Sequence, residues 1–313
     1  MDGKWEREIV AARYDISVGK TESAVRSLRS LIKSDFARNY PRRRLTAQVA
    51  LATAWRVQGD YRRAGLLFYL SLPSVENSFG PDSLAVAGLC NEWAVWGKYT
   101  GNFDLAEELY RRSLGILEDK YGPHHNGIAT ICHNLGGLAH ARGDFSSGES
   151  WARRSVEVRR LVHGPDHIDV VADEAAWSTL LQECGRLQEA ELLLWHALKV
   201  YEKLDNIYEL AIVWHNLAAL SHRRGSLKMA EHRYRRALSL KAQVLGVKHP
   251  ECAITIINLA GVHRVQGHTV TAAIEYERAL TLLRPIVSAG HPHVRAAERG
   301  LAAVREADSR KRR

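Results

Sequence analysis

Residues Asn126–Val162 read NGIATICHNLGGLAHARGDFSSGESWARRSVEVRRLV, and variants of this stretch recur along the whole chain. With the glycine of the Gly143-Asp144-Phe145 turn as anchor, matching turns stand at Gly19, Gly59, Gly101, Gly185, Gly225 and Gly267, each 40 or 42 residues from the next. Self-similarity at such a period marks a solenoid, in which each unit buries its apolar side on its neighbour. Five residues after each anchor stands a small residue (Ala24, Ala64, Ala106, Gly148, Ala190, Ala230, Ala272), where two helices can approach closely. Seven helical hairpins are the minimal reading.

Within the founding unit, Ile128, Ile131, Leu135 and Leu138 make one helical stripe, and Phe145, Trp151, Val156 and Val158 belong to a second helix beyond the turn. Gly143 suits a left-handed position ending the first helix, and Asp144 suits the N-cap of the second. Connecting segments reappear as Tyr-Gly-Pro-His-His at 121, His-Gly-Pro-Asp-His at 163 and Leu-Gly-Val-Lys-His-Pro at 245, where glycine and proline stop one helix and restart the next. The segment Leu204-Asp205-Asn206-Ile207 is two residues short and lacks glycine, so a change of superhelical pitch is expected there. Residues 1–308 read as one solenoid, closed by an amphipathic capping helix over about 293–307 with Arg295, Arg299, Arg305 and Glu306 facing water. A basic tail, 309–313, is expected to fray.

His249-Pro250 with Asn258-Leu259-Ala260, Ala230-Glu231 with Tyr234, Arg236, Ala237 and Leu238, and Ala106-Glu107 with Tyr110, Arg112, Ser113 and Leu114 resemble the tetratricopeptide repeat in the longer form found in kinesin light chains. The resemblance covers residues 42 to 285 or so; the first unit, around Gly19, lacks the Asn-Leu pair and the Gly-Pro or His-Pro linker, as suits an atypical terminal repeat. It implies an all-α, right-handed α-solenoid in which the first helix of each hairpin lines a concave groove and contacts an extended peptide. Transferred position by position, those contacts fall on Asn91, Glu92 and Lys98 in the third repeat, and on His133, Asn134 and His140 in the fourth. Later repeats contribute Gln182 and Glu183, then His215, Asn216, His222 and Arg223, and finally Asn258 and Arg264.

An asparagine amide offers a donor and an acceptor together, so Asn134, Asn216 and Asn258 would hold a main chain largely regardless of its sequence, while neighbouring His, Arg, Lys and Glu select by charge. The alternative is that these asparagines tie one hairpin to the next. Protonation of the groove histidines below about pH 6.5 would strengthen binding of acidic ligands. His133 and His140 lie two helical turns apart, about 10 Å, too far to chelate one ion. No metal site and no cofactor are expected.

The chain contains no Gly-x-Ser-x-Gly, P-loop, Gly-x-Gly-x-x-Gly or His-Glu-x-x-His motif, and no catalytic residue is assigned. An acid–base pair of Glu92 with His140 is the catalytic alternative. The excess of 44 Lys and Arg over 35 Asp and Glu raises a second alternative, nucleic acid or an anionic partner on the pairs Arg111-Arg112, Arg153-Arg154 and Arg235-Arg236. Glu107, Glu108, Glu149, Glu157 and Glu231 on the same helices favour a solvated, charge-paired face instead.

Trp93 and Trp177 stand where other units carry leucine and are expected in the core. The four cysteines form no Cys-x-x-Cys pair and are expected reduced and buried. With no run of about 18 apolar residues and a charged start without an apolar core, the expectation is a cytoplasmic adaptor that binds a peptide or partner protein and spans no membrane.

Overall fold

The computed structural model describes residues 2–285 and 292–311. Among them stand sixteen helices and no strand, an all-α solenoid of helical hairpins. The chain divides into two compact units, residues 1–162 and 163–313.

The first unit opens with α1 (Asp2–Ser17), α2 (Thr21–Lys33) and the short α3 (Asp35–Asn39). The repeat pattern did not predict α3, which Ser34 caps by accepting the Ala37 N–H at 3.2 Å. Three hairpins follow: α4 (Pro41–Gln58) with α5 (Tyr61–Phe79), α6 (Leu84–Thr100) with α7 (Phe103–Tyr121), and α8 (Asn126–Arg142) with α9 (Phe145–His163). The pattern ends the second hairpin near Leu72, whereas α5 continues through Pro73. Burial of Val75 holds those last turns although proline removes one backbone donor.

The second unit stacks α10 (Ile168–Glu183) with α11 (Leu187–Lys203), α12 (Ile207–Arg223) with α13 (Leu227–Leu245), and α14 (Pro250–Val265) with α15 (Thr269–Leu283), then α16 (Pro292–Lys311). Val294, Ala297, Leu301 and Val304 line the buried side of α16, while Arg295, Arg299, Arg305 and Glu306 are exposed. Gly300 lets α16 approach α15 closely, since a Cβ there would stand 2.3 Å from the Tyr276 ring. The helix runs through Lys311, beyond the expected end, and Arg312 and Arg313 lie outside the described residues.

The repeat grammar is visible in the backbone. All seven turn glycines have φ between 74° and 87°, the left-handed region. In the glycine-free linker Asp205 takes that role at φ 50°. Six of the seven small positions are alanines with no exposed surface. Asp144 caps α9 through the Ser147 N–H at 3.2 Å. The linker histidines serve as caps too: Nδ1 of His125, His167 and His249 accepts the N–H two residues on at 3.1, 3.2 and 3.3 Å.

Trp93 is buried and Trp177 packs against the core of the second unit. Cys90, Cys132 and Cys252 are buried and none of the four cysteines is in a disulfide among the described residues, but Cys184 is exposed because it caps the end of α10 instead of lying on its buried stripe. Among the described residues no helix is long and apolar enough to cross a membrane.

Candidate functional site

In the first unit, α4, α6 and α8 lie side by side, so their free faces form one wall. Glu92 is heavily engaged there: its carboxylate accepts from Arg56 at 3.0 Å, Thr53 Oγ1 at 3.1 Å and Asn91 Nδ2 at 3.3 Å. Asn134 donates from Nδ2 to Asn91 Oδ1 at 2.9 Å, a bond between successive hairpins. Lys98 sits against Gly137 of the next hairpin, and a Cβ on that glycine would stand 3.4 Å from Nζ. Burial first, and the Arg56 charge second, hold the Lys98 ammonium below its ordinary pKa. His133 is half-buried, whereas His140 is exposed and tilts against Phe145 at 5.6 Å. No hydrogen bond joins Glu92 to His140 among the described residues, so the proposed acid–base pair is not assembled.

Next to Asn91 and Glu92 the wall opens into a cavity of about 400 Å³, walled by apolar side chains that include Ile16, Val49, Phe79 and Leu89, with Arg13 among its few polar groups. Sequence reasoning missed this cavity because its lining comes from α1, α4, α5 and α6, helices whose individual stripes give no sign of a gap between them.

In the second unit α10, α12 and α14 form the corresponding wall. Asn258 Nδ2 lies 3.1 Å from His215 Nε2, and His215 Nδ1 lies 3.1 Å from Thr255 Oγ1. Burial, with the Lys241 charge behind it, pushes the His215 pKa down to about 4, and burial with Arg264 lowers that of His222. His215 therefore stays neutral at the pH where the sequence reading has it charge, and His222 is shifted in the same direction. Arg223 donates to the main-chain carbonyl of Gln182 at 3.0 Å and pairs with the Glu183 carboxylate, so two expected ligand contacts, Arg223 and Glu183, bind one another instead. Arg264 is exposed beside the Tyr276 hydroxyl.

The asparagine contacts share a register. Asn134 reaches 43 residues back to Asn91, and Asn258 reaches 43 residues back to His215. With the shorter spacing between the fifth and sixth turns, the matching position behind Asn216 is Ala175, which has no polar side chain. The half-buried Asn216 amide has no hydrogen-bond partner among the described residues.

The arginine pairs are largely neutralised on the spot. Arg111 bonds Glu107 at 2.9 Å, Arg112 reaches Glu76 at 2.5 Å, Arg154 pairs with Glu118, and Arg235 with Glu231 at 2.8 Å. His163, His167 and Asp169 bring three ligand atoms within 4.8 Å of one another. The two imidazoles are stacked at 4.4 Å and 17°, so their lone pairs lie in near-parallel planes and do not converge on one ion, and His167 Nδ1 already caps α10.

Stacked two-helix units with polar faces on their first helices define a repeat protein of the α-solenoid class. Models of the tetratricopeptide repeat match residues 94–147 and 209–284, and residues 128–169 and 178–204, together more than half of the chain. The chain belongs to the tetratricopeptide-repeat family.

Among solved structures, BtubC (BKLC) from P. vanneervenii is similar at 21% identity and a TM-score of 0.56, over 79% of this chain and 94% of that one. A putative kinesin light chain of Podosopora anserina with nearly identical TPR-like repeats aligns at 19% identity and 0.53, over 65% and 98%. A Rap protein complexed with competence and sporulation factor aligns at 13% identity and 0.65, over 90% and 77%. No curated protein matches the chain by sequence.

Proposed function

We propose that the chain is a non-enzymatic adaptor that holds an extended segment of a partner protein on the first-helix wall of its second unit, with the Asn216 amide as the main-chain anchor. The observation that carries this reading is the broken ladder: Asn134 and Asn258 donate to neighbouring hairpins, whereas the register position behind Asn216 is Ala175 and the half-buried Asn216 amide has no hydrogen-bond partner among the described residues. A peptide main chain needs that combination at each residue. Family membership supports a role in protein interaction, and the similar Rap structure is a complex with a named factor. Local pairing of Arg111, Arg112, Arg154 and Arg235 weighs against nucleic acid as the ligand.

The test compares Asn216→Ala with Asn134→Ala in binding of degenerate extended nonapeptide pools, read by fluorescence anisotropy, and in thermal melting. Asn216→Ala should weaken binding by about tenfold or more, the worth of two lost hydrogen bonds, with melting unchanged. Asn134→Ala should lower the melting temperature. Equal binding by wild type and Asn216→Ala would refute the assignment.

A further inference from the structure

Arg159, Tyr201 and Lys241 occupy one position of the second helices in successive repeats, and each is buried. Arg159 donates to Asn126 Oδ1 at 2.9 Å and Thr130 Oγ1 at 3.2 Å. Lys241 lies 3.8 Å from Glu251 in the first turn of the next hairpin, a cation supplied by the chain to its own carboxylate. One repeat earlier Glu209 stands where Glu251 does, in the first turn of α12, but the residue in the place of the lysine is the uncharged Tyr201.

Two independent observations mark the place as incomplete. The Tyr201 hydroxyl, in a side chain 1% exposed, has no hydrogen-bond partner among the described residues. It lies within the electrostatic reach of the carboxyl groups of Glu209, Asp169, Glu174 and Asp173. Glu209 itself is half-buried, and burial together with the Glu251 charge raises its carboxyl pKa, with no cation of the described residues acting against them. A carboxylate in this setting gains more from a counter-charge than one in open water.

We infer that a lysine or arginine side chain of the bound partner segment fills this place, setting its cation on Glu209 beside Tyr201 as Lys241 sits on Glu251 one repeat later. The inference rests on the reading of Asn216 as the main-chain anchor. Asn216 and Glu209 are seven residues apart on α12, a rise of about 10 Å that about three extended residues span. The site therefore selects a basic residue at a fixed offset from the anchored one.

The experiment uses the full chain and degenerate nonapeptide pools with lysine, arginine, norleucine or glutamate fixed at the centre, at low salt. The lysine and arginine pools should bind about tenfold tighter than the norleucine pool. Glu209→Gln should erase that preference while leaving the norleucine pool unchanged. Tyr201→Lys, which gives the fifth repeat the internal cation of the sixth, should erase it as well; if that variant does not fold, Glu209→Gln decides alone.

Equal affinity for lysine and norleucine pools, or a lysine preference that survives Glu209→Gln, overturns the inference. If pools bind and lose affinity in Asn216→Ala but show no preference for a basic residue, only the charge inference falls. If no pool binds, the anchor reading falls with it.

Discussion

Acid should loosen the second unit in large part through His215, and replacing it by glutamine should remove that part of the sensitivity. The ring is wedged between Thr255 and Asn258 at 3.1 Å on either side and meets Tyr234 edge-on at 5.3 Å. With the Asn258 amide donating to Nε2, the ring is held in the neutral form that carries its proton on Nδ1. Burial, then Lys241, brings its pKa from 6.5 to about 4. The folded value is depressed, so as pH falls the unfolded chain takes up the proton first. The stabilisation from neutral His215 is complete above the unfolded value and is lost as pH drops through the window from 6.5 towards about 4.

In full this linkage is worth about 3 kcal/mol, of which about 2 kcal/mol is lost by about pH 5. Urea unfolding of wild type and His215→Gln, followed by circular dichroism between about pH 7.5 and pH 5, reads the difference directly. The advantage of wild type should shrink by about 2 kcal/mol across that range. Parallel stability curves, or a His215 ring proton that titrates at or above the ordinary histidine value in NMR, would refute the reasoning.

His196 should behave in the opposite sense. Burial disfavours its charge, but hydrogen bonds to Glu174 at 2.6 Å and Asp166 at 3.1 Å outweigh that and raise its pKa, so its contribution is complete below the ordinary histidine value and fades as pH rises through the folded one. His196→Ala should therefore cost more stability at pH 6 than at pH 8 or so, as urea midpoints would show. Arg56→Ala should destabilise the first unit by about 2 kcal/mol, because it strips the partner from a half-buried carboxylate, and calorimetry checks this. Gly300→Ala should lower the melting temperature and loosen α16 in hydrogen exchange, since the added methyl collides with the buried Tyr276 ring.

The amino-acid sequence by itself determined the period, the hairpins and their turns, because those features are local. A glycine at a left-handed turn, an alanine at a close approach and an apolar stripe act within one unit, and seven copies repeat the message. Even Asp205 follows the rule, standing in for the linker glycine at the same kind of backbone position. Candidate wall residues were legible as a set, but their roles were not.

Tertiary structure alone decided those roles, since a wall side chain either reaches the next hairpin or faces outward, and the choice depends on what stands about 43 residues away. Asn134 meets Asn91 and Asn258 meets His215, whereas the register position behind Asn216 is Ala175, which offers no polar side chain. His215, expected to sense pH on an open surface, is sealed by Thr255 and Asn258 from the following repeat. A buried polar group takes whatever partner packing brings within reach, and that contact is made across the stack, not along the chain.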